Sequence, residues 1–212
     1  AHEYFKMSGI KGSLLDNSEH LGSNPSIKDV SKLLAKSFIN GKCDNFESSS
    51  IYIITGNTGA GKTLFSKKLK TLFETQIDAK SCTVFEEFKV KKSLTEIKNW
   101  FSKNKSKIVD KKQVGVIELS NLENVDEFLL NLSKLESDLK ISILNLMPVG
   151  NSYEYLMKNM PQRRLENEYL ALTKLDLCDL SILEIAAFIE LEHKCMFFSG
   201  VPSPEEGLYF AK

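Results

Sequence analysis

Residues 51–63 read Ile-Tyr-Ile-Ile-Thr-Gly-Asn-Thr-Gly-Ala-Gly-Lys-Thr, and the reading of this stretch decides the fold. Ile51–Thr55 is short, apolar and β-branched, as a strand buried on both faces should be. Gly56 to Thr63 fits G-x-x-x-x-G-K-[ST], a turn whose glycines let main-chain N–H groups face phosphate oxygens. Helical spacing from about Lys62 to Thr75 places a helix N-terminus, with its positive dipole end, directly after the turn. Gly56, Asn57, Thr58, Gly59, Ala60, Gly61, Lys62 and Thr63 are therefore candidate nucleotide-binding residues. The Lys62 ammonium reaches the β- and γ-phosphates, and the Thr63 hydroxyl ligates Mg2+. A glycine-rich turn can match the pattern by chance, but the apolar strand before it and the helix after it argue for the phosphate-binding loop.

Outward from this loop the chain alternates strand and helix. Strands are predicted at Cys82–Phe85, Val114–Leu119, Ile141–Leu146, Tyr169–Thr173 and, last, Cys195–Phe198. Helices are predicted across Leu94–Lys103, Val125–Leu139, Tyr153–Met160 and Ser181–His193. That alternation predicts a three-layer α/β P-loop NTPase domain over residues 51–212, its sheet mostly parallel. Before it, Ser26 starts a helix, with Asp29 at the capping-box spacing, that runs to Ile39 and stops at Gly41. Residues 26–50 make a small helical element and a linker. Residues 1–25 show no sustained period and read as a mobile arm, with Ala1–Lys6 as a segment left over from expression.

A second motif, Thr173-Lys174-Leu175-Asp176, closes an apolar run one strand before the last predicted one. In a P-loop protein an Asp here accepts two hydrogen bonds from guanine N1–H and the 2-amino group. Adenine offers neither donor, so the carboxylate selects GTP over ATP by being left unpaired against the wrong base. The Lys174 stem lies over the base plane, and the small-residue turn Ser199-Gly200 closes over it. Standing alone, the same four residues are a helix start with an acidic first turn.

Composition bounds the rest. The 212 residues are 42% hydrophobic, enough for a core, and 28 basic residues balance 28 acidic ones. Zero net charge disfavours a dedicated nucleic-acid binder. No apolar run approaches a membrane span and no signal peptide opens the chain, which places it in the cytoplasm. Cys43, Cys82, Cys178 and Cys195 lie far apart, against a disulfide framework or structural zinc site. His2, His20 and His193 have no ligand or catalytic spacing. Of the basic residues 26 are Lys and two, Arg163 and Arg164, are Arg. Residues 89–112 hold nine lysines against Glu96 and Asp110, a net of plus seven, and residues 113–139 hold six acids against Lys134, a net of minus five. Such runs are solvated helix faces, or else a surface for anionic lipid or an acidic partner beside an acidic face that mates in a dimer.

The order of G-x-T-G-x-G-K-T, T-K-L-D and a terminal Gly200-Val201-Pro202 resembles the signal-recognition-particle class of GTPases, most of all its flagellar FlhF branch. The resemblance covers about residues 27–212, with residues 26–50 as a remnant of the class's helical N-domain. Its D-T-F-R motif falls on Glu86-Glu87-Phe88-Lys89, and its D-T-A-G motif on Glu118-Leu119-Ser120-Asn121. By resemblance Glu86 helps position Mg2+ and the attacking water, and Lys89 touches phosphate without arginine's bidentate fork. Glu118 holds Mg2+ through water, and Asn121 brings a Cβ where a glycine approaches the γ-phosphate. Glu86, Lys89 and Glu118 are thus the catalytic candidates, with Thr63 and Glu118 for the metal, in a GTP- and Mg2+-binding protein whose hydrolysis is slow or absent. The resemblance further implies dimerisation with itself or a related GTPase, and protein targeting or positioning, flagellar parts included, at the inner face of the cell membrane. Two alternatives stay open: a non-catalytic pseudo-GTPase scaffold, and an ATP-dependent kinase or ligase in which Thr173–Asp176 is fortuitous.

Overall fold

A computed structural model describes residues 2–7, 12–21, 25–39, 50–76, 84–88, 94–110, 114–119, 140–163, 165–201, 203 and 206–211. The chain divides into two compact units: Asn45–Met147 with Val201–Leu208, and Ala1–Asp44 with Pro148–Gly200 and Tyr209–Lys212.

The first unit is built on a strand ladder ordered β2-β3-β1-β4, where β1 is Ser50–Gly56, β2 Val84–Phe88, β3 Gly115–Leu119 and β4 Lys140–Pro148. All three pairings are parallel, with Ile53 opposite both Ile117 and Ile143. From Ser50 to Thr55 every residue of β1 is buried, as its unbroken apolar run requires. Among the described residues this unit has the helices α4 (Lys62–Gln76) and α5 (Leu94–Lys105), the latter running into a π-helical turn over Ser106–Asp110. Helix α4 packs on β1 and β3 through Phe65, Leu69, Leu72 and Phe73, all buried at helical spacing, and Phe73 meets the Tyr52 ring at 5.2 Å.

In the second unit β5 (Glu168–Thr173) pairs in parallel with β6 (Cys195–Ser199), with a bulge between Leu170 and Ala171, and the order continues to β7 (Leu208–Phe210). Strand β7 lies beyond the last strand that the sequence predicts. Its three residues are too few for periodicity to register, and it is held by main-chain bonding at its end, Ala211 N–H donating to Met196 O at 2.9 Å.

The helices of this unit are α1 (His2–Met7), α2 (Gly12–Ser18), α3 (Ile27–Phe38), α6 (Tyr153–Asn159) and α7 (Ile182–Glu190). Ser26 caps α3 through the reciprocal box with Asp29, and the helix ends when Ile39 turns extended. The capping box of α7 is Ser181 and Glu184. Helix α7 stops three residues short of the predicted His193, where Glu192 takes a φ of +61°. Phe188 and Phe38 stack at 5.7 Å, binding α3 to α7. Helices α1 and α2 lie in the stretch that the sequence reads as an arm without a sustained period. Each is too short to show a period, yet Phe5 and Leu14 are fully buried, and tertiary burial supplies what propensity lacks. The predicted helix Val125–Leu139 lies outside the described residues.

Candidate nucleotide-binding site

Strand β1 delivers the chain into Gly56 at a φ of +140°, beside β4. A Cβ there would stand 2.7 Å from the Leu146 carbonyl oxygen, so only glycine fits between the loop and its neighbouring strand. Gly59 and Gly61 also take positive φ, at +80° and +90°. Thr55 donates from Oγ1 to Asn145 Oδ1, fixing the loop's start to β4 from the other side. The turn closes with Ala60 N–H donating to Asn57 O at 3.1 Å and Phe65 N–H to Gly61 O at 2.9 Å. Asn57, Thr58 and Gly59 are exposed on its crest, while Ala60 is buried beneath it.

Lys62 folds back over the loop, its ammonium donating to Gly56 O at 2.7 Å and Asn57 O at 3.1 Å. The cation thus sits on the crest, where phosphate oxygens would replace carbonyls as acceptors. One residue on, Thr63 donates from Oγ1 to Glu118 Oε1 at 3.2 Å, and Ser66 from its hydroxyl to Glu118 Oε2 at 3.3 Å. Glu118 is the buried acid at the end of β3, so the carboxylate assigned from the sequence is held against the hydroxyl assigned with it. Hydroxyl and carboxylate oxygens are the hard donor set that suits Mg2+, and Thr63 with Glu118 are the residues that would hold it.

The sequence did not mark Ser66 or Asn145. Both carry a readable signal, since Ser66 lies one helical turn beyond Thr63 and Asn145 is the polar interruption of Ile-Ser-Ile-Leu-Asn-Leu. Glu86 lies on β2 opposite Ile117, with its backbone alone described, while Lys89, Ser120 and Asn121 lie outside the described residues.

In the second unit, Thr173 ends β5 buried and its carbonyl accepts from Val149 N–H at 3.0 Å. Lys174 then adopts a φ of +62°, a conformation unusual for a side chain of its size. Its carbonyl collects Leu177 N–H at 3.0 Å and Cys178 N–H at 3.3 Å, so the backbone turns sharply and leaves Asp176 exposed. Leu175 N–H donates to Ser199 O at 3.2 Å, which brings Thr173–Asp176 together with Ser199-Gly200. Glu184, fully buried, accepts from Gly150 N–H at 2.9 Å and Asn151 N–H at 2.8 Å with one oxygen, while the other accepts from Ser181 N–H at 3.3 Å. That carboxylate, which the motif reading missed, ties the turn after β4 to the start of α7.

Comparison with protein-family models and with curated proteins gives no match to the sequence. Solved structures do match. FlhF complexed with GMPPNP/Mg2+ superposes at a TM-score of 0.60 and 14% identity, over 99% of this chain and 93% of that one. FtsY from Thermotoga maritima gives 0.61 and 15%, over 99% and 82%. FtsY from Mycoplasma mycoides reaches 0.63 at 12%, over 99% and 84%. The chain has the FlhF and FtsY fold. In that three-layer α/β P-loop fold, Gly56–Thr63 is the loop after the first strand of the sheet, as the sequence resemblance requires.

Proposed function

We propose that this chain is a guanine-nucleotide-binding protein that holds GTP with Mg2+ and hydrolyses it slowly or not at all. The observation that carries the reading is the Gly56–Thr63 turn with Lys62 folded over its crest and Glu118 behind Thr63. Main-chain amides and the Lys62 ammonium bind phosphate, and Thr63 and Glu118 would hold Mg2+, whose charge would neutralise that of the phosphates. Asp176, exposed on its turn beside Ser199-Gly200, reads the guanine edge. FlhF has been crystallised with GTP/Mg2+, which supports the choice of guanine. Slow turnover follows from Lys89 and Asn121, which replace the class's arginine and glycine.

The output of the bound state is docking, to a second copy or a related GTPase, in targeting or positioning work at a membrane surface, flagellar assembly included. Among the described residues no helix is long and apolar enough to cross a membrane, so any membrane contact they make is peripheral. The lysine-rich sequence of residues 89–112 is what we propose such contact would use.

Titration with fluorescent GTP and ATP in Mg2+, followed by single-turnover hydrolysis, tests the reading. GTP preferred and turned over slowly supports it. Tight GTP binding with no turnover favours the scaffold reading, to which the substituted residues at 89 and 121 already lean. A preference for ATP overturns the guanine assignment.

A further inference from the structure

Ser66 lies on α4 and is fully buried, in register with Leu69 and Phe73 on the face that packs against the sheet. Glu118, at the end of β3 and opposite Ile54 of β1, is 6% exposed. A hydroxyl and a carboxylate in an apolar helix–sheet contact are costly unless paired, and two apolar side chains would pack there at less cost. These two are paired with each other. Ser66 donates to Glu118 Oε2 at 3.3 Å, while Thr63, on the same face of α4, donates to Oε1 at 3.2 Å.

Each carboxylate oxygen thus has its own hydroxyl. The last torsion of a glutamate side chain is broad, so a carboxylate held by one oxygen turns readily about its final bond. A donor on each oxygen stops that rotation. Thr63 is the hydroxyl that would ligate Mg2+, whereas Ser66, one helical turn further from the phosphate loop, anchors the carboxylate from outside the metal's ligand set. The methylene that glutamate has beyond aspartate gives the carboxylate the reach to meet both.

We infer that Ser66 is a positioning residue for the metal: by holding Glu118 Oε2 it presents Oε1, beside Thr63 Oγ1, as the carboxylate's one metal-facing oxygen. This rests on the reading of the phosphate loop given above. It assigns Mg2+ affinity partly to a residue that lies outside the loop motif and touches neither nucleotide nor metal.

The test uses the full chain with GTP, and Mn2+ as the probe, because the paramagnetic resonance signal of the free ion falls as it binds. Ser66→Ala should raise the Mn2+ Kd of the GTP complex about tenfold, and the Mg2+ concentration that half-saturates GTP binding by the same factor, since a hydrogen bond to a charged acceptor is lost. GTP binding in metal-free buffer should stay level. In Glu118→Asp, whose shorter arm cannot meet both hydroxyls, adding Ser66→Ala should change the Mn2+ Kd by less than about twofold, because the two residues act as one unit. A packing role alone would lower the melting midpoint and leave the metal dependence unmoved. If Ser66→Ala does not fold, Ser66→Cys, a weak donor of similar size, goes through the same measurements. A folded variant at position 66 with wild-type metal dependence, or an equal loss in both backgrounds, overturns the inference alone. A wild-type chain whose GTP binding ignores Mg2+ overturns the metal reading and this inference with it.

Discussion

At the scale of single residues, the loop's geometry rests on Gly56. Gly56→Ala places a methyl group against the Leu146 carbonyl in a backbone conformation hostile to it. The expected cost is about 1–3 kcal/mol, seen as a lowered thermal midpoint together with lost GTP binding. Lys62→Ala leaves the fold intact, since the ammonium lies on the crest, and weakens GTP binding by about 1.5–3 kcal/mol in a titration. Asp176→Asn keeps an acceptor but turns one side of the contact into a donor facing guanine donors. GTP-over-ATP preference should fall at least tenfold by about the same energy, and unchanged selectivity would remove Asp176 from its role. Ser66→Ala removes one donor to Glu118 Oε2 and should shift the Mg2+ dependence of GTP binding, with little effect in Mg2+-free buffer. Most of these positions were legible because phosphate binding imposes a fixed order of residue types on one continuous turn. Ser66 was not, because a polar side chain on a helix reads as solvent-facing until the packing is known. The positive φ of Lys174 was equally hidden, since it is set by the turn that Ser199 and Gly200 complete and not by lysine itself.

At the scale of elements, α7 shows how much a cap can carry. Its Ser181–Glu184 box was foreshadowed only as a helix start, yet Glu184 also holds the Gly150 and Asn151 amides. Ser181→Ala should cost about 1 kcal/mol in denaturant melts, and Glu184→Ala about 1–3 kcal/mol, since it removes the acceptor of the part-buried Gly150 and Asn151 amides as well. Just past the helix, His193 is buried and its Nε2 meets Pro161 O at 2.9 Å. Burial holds its pKa below the ordinary 6.5, against the smaller opposing pull of the Pro161 contact and Glu168. The folded state therefore favours the neutral ring, and the unfolded chain binds more protons just below pH 6.5. Its contribution to stability is complete above that pH and declines as the pH falls toward the folded value. Melting midpoints across pH 5 to 7.5 should show this acid loss, reduced in His193→Gln. The strands and long helices were legible because their burial is written as period. Helices α1 and α2 and strand β7 were not, because so few residues leave no period to read.

For the whole molecule, the alternation of strand and helix named the fold class before any geometry, and the superposition on FlhF and FtsY agrees at sequence identities near one in seven. What the sequence could not convey was the division into two compact units, each drawing on separated stretches of chain. Contacts made by residues a hundred or more positions apart, such as those of Lys68 with Val201 and Gly207, leave no local trace. Single-turnover hydrolysis should be slow in the isolated chain. A rise in rate with protein concentration would mark a partner copy completing the site. The chain's single tryptophan, Trp100, is buried in the first unit, its ring and the Ile108 side chain lying close to Gly115 of β3. Fluorescence excited at the red edge of the protein spectrum thus comes from the half that bears the phosphate loop and reports its melting. Set against a circular-dichroism melt of the entire polypeptide, it reveals whether the halves come apart as one cooperative body or in succession.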